Sequence, residues 1–372
     1  MKNPSITEIF KSVPDYRREC ALKLHLLADI LLLSLCAVVS GAESDEEIAT
    51  YGEQKADFLR TFLTLPNGIP SHDTITRVFR YLDKDKFTQC LVQHSGQLLD
   101  FLQEQHISID GKVLRATAKR GQKKSGTCII TAWACEQQLV LGQLKTAAKS
   151  NEKTAIPALL ADLNITEAIV SIDAIANNPQ VAEQIINSGG NYILALKKNQ
   201  KNAFEQVADF MKARMNTLDK DTSLDFGSGR IETRTCYVLN KLDLLEELQA
   251  WRGIKSVIMV HAKREFDTNT EEEYRFYISS KKETPMYFNK RIRAHWGIEN
   301  HLHWHLDVSF DEDKSKTRMG NGAENHHTLR KLALQMMQQM TDKHSIKERR
   351  KKAGWNNDYL SQILAAGFSK CV

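Results

Sequence analysis

The stretch that decides the fold is a succession of five β-rich runs, interrupted by helical runs at 153–163 and 178–189. The strand-like runs are, in order, HISIDGKVL (106–114), TCIITAWAC (127–135), QLVLGQLKT (138–146), EAIVSIDAI (167–175) and NYILALKK (191–198). Three consecutive strands followed by helix, strand, helix and strand predict a mixed sheet. Because the later runs are apolar enough to be buried on both faces, we expect helices to cover this sheet.

A second β-rich region follows a helical run near 202–215. It contains three strand-like runs, with a short helix expected at 242–251, and it ends before a last helix that begins near Pro285 and continues to 308. The order of the first five strands is that of an RNase H-like core. The predicted fold is therefore an α/β domain, an RNase H-like mixed sheet flanked by helices, with a β-rich insertion at about 222–283.

The region before the first strand is predicted to be helical. From residue 6 to about 99 the apolar residues recur at helical spacing, and LPNGIPSHD (65–73) is the clearest interruption. We predict an all-α N-terminal domain at 1–99, a catalytic domain at 100–345 and a basic C-terminal tail at 346–372.

One helix of the N-terminal region has the features of a DNA-reading helix. Ser71 or Asp73 can cap a helix that runs through TITRVFRYLD, after a Gly-Ile-Pro turn. This places Thr74, Arg77 and Arg80 near the start of the helix, as in a helix-turn-helix. A plain surface helix with solvated arginines explains the same pattern equally well.

Composition excludes several classes of protein. The 372 residues are 42% hydrophobic and 26% charged, with 18 Gly and 7 Pro, which is ordinary globular usage. The net charge of +5 permits a polyanionic partner without requiring one. The 7 cysteines are scattered without a C-x-x-C pair, which is typical of a reducing, cytoplasmic environment. The most apolar run, 30–39, is far shorter than the roughly 20 residues that span a bilayer, so no membrane anchor is expected.

Isolated acids interrupt the apolar strands. Asp110 follows Ile109 in the first strand, and Asp173 follows Ile172 in the fourth. A buried carboxylate is strongly disfavoured unless it is protonated, paired or bound to a metal ion. Mg²⁺ takes carboxylate oxygens together with phosphate oxygens, and two such ions can flank a displacement at phosphorus. Glu299, on the late helix, is the best third ligand, so Asp110, Asp173 and Glu299 are the predicted catalytic and metal-binding residues.

Histidines surround Glu299 and suggest a second kind of site. His295, Glu299 and His303 recur every four residues and share a helical face, which suits zinc. However, H-E-x-x-H is absent, no cysteine accompanies the cluster, and one helix cannot close a tetrahedral site. His295 and His303 are instead predicted to orient Glu299 or to contact phosphate, and a structural role for both remains open.

Basic residues lie where a phosphate backbone would pass the acids. The predicted DNA-binding residues are Lys112, Arg115, Lys197, Lys198, Arg230, Arg234, Arg293, His295 and His303, with Arg77 and Arg80 in the N-terminal region. Further basic residues are Lys314, Lys316 and Arg318 and the run KERRKK (347–352).

The chain resembles the H-repeat-associated, Rhs-linked insertion-sequence transposases of bacteria, a branch of the DDE transposases. The likeness covers nearly the whole chain and its blocks follow the family order. They are VPDYR (13–17), HLLADILLLSLCAVVSGA (25–42), NGIPSHDTITRVF (67–79), IDGKVLR (109–115), KSNEKTAIPALL (149–160), SIDA (171–174), GGNYILALKKNQ (189–200), SGRIETR (228–234), HWGIENHLHWHLDVSFDED (295–313) and RMGNGAENHHTLRKLAL (318–334).

The resemblance implies an RNase H-like catalytic domain with an inserted β region and the triad Asp110, Asp173 and Glu299. It implies cleavage at the ends of the element's own DNA, joining of the 3′-hydroxyl to target DNA, and two Mg²⁺ ions for which Mn²⁺ can substitute. The expected partners are double-stranded DNA and, because two ends must be paired, a second copy of the chain.

Two departures from the family pattern affect what can be carried over. Related families place the final Glu in a Tyr-x2-Arg-x3-Glu-x6-Lys signature, whose other positions are Ile292, His295 and Leu306 here. The phosphate contacts of that signature therefore do not transfer. After Asp173 the chain reads AIANNPQ (174–180), where the resemblance implies Gly-Cys-Gln. Two alternatives stay open: a nuclease of the same fold without strand transfer, and a domesticated or inactive DNA-binding protein.

Overall fold

A computed structural model describes residues 5–17, 23–99, 104–118, 126–146, 152–174, 177–227 and 229–367. In these residues, every regular element before the first strand is a helix. They are α1 (Ile6–Lys11), α2 (Leu27–Val39), α3 (Asp45–Gln54), α4 (Ala56–Leu59), α5 (His72–Tyr81) and α6 (Lys84–Leu98). Helix α5 begins where the sequence predicts, because the Ser71 hydroxyl accepts a hydrogen bond from the backbone N–H of Thr74 at 3.3 Å.

The remaining chain builds one large mixed sheet and the helices that cover it. The strands are β1 (His106–Leu114), β2 (Thr127–Ala134), β3 (Leu139–Thr146), β4 (Ile169–Ile172), β5 (Asn191–Leu196), β6 (Asp219–Gly227), β7 (Arg230–Leu239), β8 (Ser256–Phe266) and β9 (Thr270–Ser279). The helices are α7 (Glu152–Ala161), α8 (Pro179–Asn187), α9 (Lys201–Arg214), α10 (Pro285–His295), α11 (Trp304–Val308), α12 (Gly322–Gln338), α13 (Ile346–Trp355) and α14 (Asn357–Ala366).

The first five strands have the predicted mixed arrangement. The order across the sheet is β3-β2-β1-β4-β5-β9-β8-β7-β6. Strands β1, β4 and β5 are parallel, whereas β1 to β3 pair antiparallel. Crossing from β4 to a parallel β5 requires a covering helix, which α8 supplies. The carboxyl ends of β1, β4 and β5 therefore meet at one edge of the sheet.

The β-rich stretch expected to interrupt the core continues the same sheet. Its strand β9 pairs antiparallel with β5, and β8, β7 and β6 follow outward. The sequence predicts three of these four strands and misses β6. The reason is physical: β6 is exposed along most of its length and lies at the sheet edge, so it lacks the apolar alternation that marks a half-buried strand.

Two helical predictions differ from the structure. The helix expected at 242–251 is reduced to a short 3₁₀ turn, Glu246–Leu248. The helix expected from Pro285 to 308 is divided, because α10 ends at His295 and a π-helical turn, Ile298–His303, precedes α11. This turn carries Glu299, and π-helical turns change the direction in which side chains leave a helix.

Three apolar clusters organise the layers. One face of the sheet packs on α7, α8 and α9, and α10 covers the other face of the central strands. The third cluster joins the helices before β1 to α12, α13, α14 and the π-helical turn, and includes Trp133 of β2. The N-terminal helices thus share a core with the C-terminal helices.

The C-terminal segment predicted as a basic tail is folded into α13 and α14 as far as Ala366. Arg349 and Arg350 of the run KERRKK are buried. Their guanidinium groups donate to backbone carbonyls, Arg349 to Met340 at 3.1 Å and Arg350 to Val38 at 3.2 Å. These two arginines therefore join helices instead of facing solvent.

In the described part of the chain, the helices are too short or too polar to cross a lipid bilayer.

Candidate active site

The first two predicted acids lie next to each other on adjacent strands. Strands β1 and β4 are parallel, and Ile109 is paired with Ile172. Asp110 and Asp173 are the next residues on each strand, and β4 ends just before Asp173. Asp110 lies within β1, which continues to Leu114, whereas Asp173 directly follows β4. Both residues are level with the carboxyl end of β4, and carboxyl ends of parallel strands are the usual location of active sites in such sheets.

Asp110 contacts a histidine from the π-helical turn. His303 Nδ1 lies 3.4 Å from Asp110 Oδ2, and the side chains are 12% and 25% exposed. Burial lowers the pKa of His303 well below its ordinary value, and the nearby charges of Lys331 and Lys112 lower it further. His303 is therefore neutral near pH 7 and acts toward Asp110 as a dipole, without a full positive charge.

Asp173 is paired with a lysine that follows β5. Lys197 Nζ lies 2.8 Å from Asp173 Oδ1 and 3.1 Å from Oδ2. Burial by itself would raise the pKa of Asp173, but the hydrogen bonds from Lys197 and from the backbone of Ala174 bring it below its ordinary value. Asp173 is therefore ionised, and an ammonium group lies where a cation would meet this carboxylate.

The third predicted acid is electrostatically coupled to Asp173. Burial raises the pKa of Glu299, and the negative charge of Asp173 raises it further. The negative charge of Asp173 therefore disfavours ionisation of Glu299, and a cation between the two carboxyl groups would relieve this effect.

The donor set fits a hard divalent cation, because carboxylate oxygens are the ligands that Mg²⁺ prefers. Across the described ranges, however, no three His, Cys, Asp or Glu side chains form a group that could hold a metal ion. Within these ranges Asp110, Asp173 and Glu299 thus do not close a ligand shell.

His295 lies behind Asp173 in a polar network. His295 Nδ1 is 2.8 Å from Ser171 Oγ, which lies 2.7 Å from His106 Nε2. Burial lowers the pKa of His295 to about 4, an effect that the charge of Asp173 opposes. The ring is therefore neutral and hydrogen-bonded to β4. His295 and His303 are predicted to contact DNA, but in this structure the ring of His295 contacts Ser171 and the ring of His303 contacts Asp110.

Two predicted DNA-binding residues are buried and paired. Lys112 is 6% exposed, and its Nζ lies 2.5 Å from Asp307 Oδ1. Arg234 is also 6% exposed and donates from Nε to Asn289 Oδ1 at 2.9 Å. A side chain that is surrounded by protein cannot reach a phosphate backbone, so the predictions for Lys112 and Arg234 are wrong for this structure.

The other predicted basic residues reach the surface. Most are paired with acids: Arg115 with Asp313 at 3.2 Å, Arg230 with Glu232 at 3.6 Å, Arg293 with Asp225, and Lys197 as described. Lys198 and Arg77 are exposed, and Arg80 is half-buried beside the Tyr81 ring.

A cavity of about 430 Å³ opens beside Asp173. Its lining includes Lys197, Lys198 and the aromatic rings of Tyr274, Phe276 and Trp296. The guanidinium of Arg275 stacks over Trp296 at 4.6 Å. The site thus has an apolar, aromatic wall next to its charged edge.

A buried charge network behind Asp110 escapes sequence reasoning. Glu312 is 3% exposed, and its Oε1 lies 2.9 Å from His327 Nδ1 and 3.5 Å from Arg330 Nη1. Lys331 is 1% exposed and donates to Thr131 Oγ1 at 2.7 Å. The sequence offers one sign of this network: His327, Arg330 and Lys331 stand among the apolar residues of HTLRKLAL (327–334). These residues belong to α12, which is buried along most of its length.

Comparison with known proteins identifies the family. A family model described as "Transposase DDE domain" matches residues 102–336, and one described as "DDE_Tnp_1-associated" matches residues 7–95. The chain belongs to the DDE transposase family. The first match begins just before β1 and ends within α12, so it contains Asp110, Asp173 and Glu299.

Curated relatives support the same assignment. The H repeat-associated putative transposase YhhI of Escherichia coli K12 is 35% identical over 374 residues, covering 98% of this chain and 99% of the relative. Putative transposase YncI of Escherichia coli O157:H7 is 34% identical, covering 98% and 96%. Inactive transposase YbfQ of Escherichia coli K12 is 47% identical over 78 residues, covering 21% of this DDE transposase and 92% of the relative.

Among solved structures, the piggyBac transposase synaptic complex with hairpin DNA is 10% identical and has a TM-score of 0.45. The comparison covers 96% of this chain and 76% of that chain.

Proposed function

We propose that this DDE transposase cleaves DNA at the ends of an insertion sequence and joins the 3′-hydroxyl to target DNA by two-metal phosphoryl transfer on an RNase H-like sheet. The observation that carries the proposal is the arrangement of the acids. Asp110 and Asp173 occupy neighbouring positions on parallel strands, and Glu299 is coupled to Asp173.

Asp110, Asp173 and Glu299 would hold the cations, with Mn²⁺ able to replace Mg²⁺. When bound, the metal ions would activate the attacking oxygen and stabilise the leaving oxygen at phosphorus. The chain itself orients the ligands. His303 contacts one oxygen of Asp110. The ammonium group of Lys197 keeps Asp173 ionised and occupies the position beside this carboxylate that a metal ion would take.

Double-stranded DNA is the proposed substrate, bound by the exposed basic residues around the site. Lys198, Arg115, Arg230, Arg293 and Arg77 are all exposed and are the proposed phosphate contacts. Two element ends must be held together for joining, so a homodimer on DNA is proposed. A complex with two DNA ends and one chain, measured by multi-angle light scattering, would contradict the dimer.

The test is cleavage of DNA that carries the sequence flanking the gene, in Mg²⁺ and in Mn²⁺. Asp110→Asn, Asp173→Asn and Glu299→Gln should each abolish cleavage and leave DNA binding nearly unchanged, because each removes a metal ligand. Asp243→Asn is the matched control, since Asp243 is exposed beyond the end of β7, at the opposite edge of the sheet from the site. Retained cleavage in the Asp110 variant, or loss in the Asp243 variant, would contradict the assignment.

A second candidate function is DNA binding without catalysis. The carboxylates do not form a metal-holding group among the residues described, and one relative is named an inactive transposase. Salt-dependent DNA binding with no product at any Mg²⁺ or Mn²⁺ concentration would favour this candidate. A nuclease without strand transfer would yield nicks alone, whereas a transposase yields joined products.

A further inference from the structure

A surface segment between α11 and α12 carries three exposed basic side chains. Lys314, Lys316 and Arg318 are exposed, and they alternate with the half-buried Ser315 and Thr317. Lys314 ends a 3₁₀ turn, Glu312–Lys314, and residues 315–318 have no regular secondary structure. Together Lys314, Lys316 and Arg318 form a row of exposed positive charges along this segment.

Both ends of this row are anchored. At its start, Asp313 Oδ2 lies 3.2 Å from Nη1 of Arg115, which directly follows the strand of Asp110. Immediately before it, Glu312 is buried against His327. The row is thus held beside the strand that carries the first catalytic carboxylate.

At the other end the chain is tied to α5. The backbone N–H of Asn321 donates to the Arg80 carbonyl at 2.9 Å, and Asn321 Nδ2 donates to the Leu82 carbonyl at 3.0 Å. Gly320 has φ +57°, and a Cβ there would lie 2.4 Å from the Arg80 carbonyl oxygen. Only glycine allows this close approach, so the row ends at a defined place on α5.

The positive charges in the row are largely available. Lys314 pairs with Asp311 at 2.9 Å, whereas Lys316 and Arg318 form no ion pair with any described residue. A cleft of about 530 Å³ separates the row from the acidic start of α3. Two of those acids have cationic or histidine partners: Glu43 lies 3.5 Å from Arg350, and Asp45 lies 3.1 Å from His326. Glu46 and Glu47 on the same wall of the cleft are exposed.

We propose that segment 311–319 binds the phosphate backbone of duplex DNA and connects α5 with the catalytic edge. The proposal rests on the proposed function, because it concerns how DNA reaches that site. A fixed row of cations between two anchored elements suits a polyanion with regularly spaced charges. The row would position the duplex without reading its sequence.

The test is the salt dependence of DNA binding by the full chain without divalent cations. Fluorescence anisotropy with a labelled random-sequence duplex gives the slope of log Kobs against log salt. Lys316→Gln combined with Arg318→Gln should make the slope less steep by about 2, since each phosphate contact contributes about 0.9. The loss of affinity between 50 and 200 mM salt should then be about tenfold smaller than in the wild type.

Lys241→Gln combined with Lys255→Gln is the matched control, because both lysines are exposed at the opposite edge of the sheet. The control should keep the wild-type slope, and Lys316→Arg alone should keep it too. An unchanged slope in the Lys316/Arg318 variant, or an equal change in the control, would overturn the inference while the proposed function stands. Absence of duplex binding by the wild type would overturn both. Melting temperatures of all variants verify folding.

Discussion

Replacing Lys331 with methionine should remove a large pH dependence of stability. Burial lowers the pKa of this lysine from 10.5 to about 7, although the charge of Glu312 opposes the shift. Between these pH values the unfolded chain holds a proton that the folded chain lacks. Stability of the wild type therefore rises as the pH increases from 7 to 10.5, by about 1.4 kcal/mol per pH unit and about 5 kcal/mol in total.

Lys331→Met keeps an unbranched side chain that is one atom shorter and removes the titrating group. At every pH it leaves Thr131 and Gln143 without the bonds that Lys331 Nζ gives them at 2.7 and 2.8 Å. That loss is independent of pH. The free energy difference between wild type and variant should therefore grow with pH in favour of the wild type.

Denaturant unfolding followed by circular dichroism, at half-unit intervals from pH 6 to 10, measures this difference. Lys255→Met is the control, since Lys255 is exposed and should show no such trend. Parallel stability curves for wild type and Lys331→Met across this range would refute the conclusion that Lys331 is buried and neutral at high pH.

Two further substitutions test the packing around the site. Gly297→Ala places a Cβ 2.9 Å from the ring of Trp133, which is 1% exposed. We expect this overpacking to lower the unfolding free energy by about 1–3 kcal/mol. Cleavage should also decrease, because Gly297 directly precedes the π-helical turn that carries Glu299. Wild-type stability and activity in this variant would argue against the close contact. Asn177→Ala removes bonds to the Ala195 carbonyl and from Trp251 Nε1, each 2.9 Å, and should cost about 1–3 kcal/mol for each group left unpaired. A melting temperature equal to that of wild type would contradict this.

The first five strands are legible in the sequence because short apolar runs give a strong local signal. Strands β1 and β4 each contain such a run, although Asp110 lies within β1 whereas Asp173 follows β4. Strand β6 gives no such signal, since it is exposed at the sheet edge. The end of α10 at His295 also gives no sequence signal, because the residues on both sides of the π-helical turn have helical spacing.

Charge is the property that the sequence predicts least well. Lys112 and Arg234 look like solvated phosphate ligands, yet each is 6% exposed and bonded to a protein group. Burial of a charged side chain depends on a partner that lies far away in sequence, such as Asp307 for Lys112. Local composition contains no information about that partner.

The sequence alone determined the elements whose signals are local: the apolar strands, the capped start of α5, and the family blocks that mark a DDE transposase. Only the tertiary structure decided which charges face solvent, that β6 to β9 extend the central sheet, and that α13 packs on α2. The physical reason is that hydrophobic periodicity acts within a few residues. Pairing of strands and neutralisation of buried charges depend on contacts between distant segments.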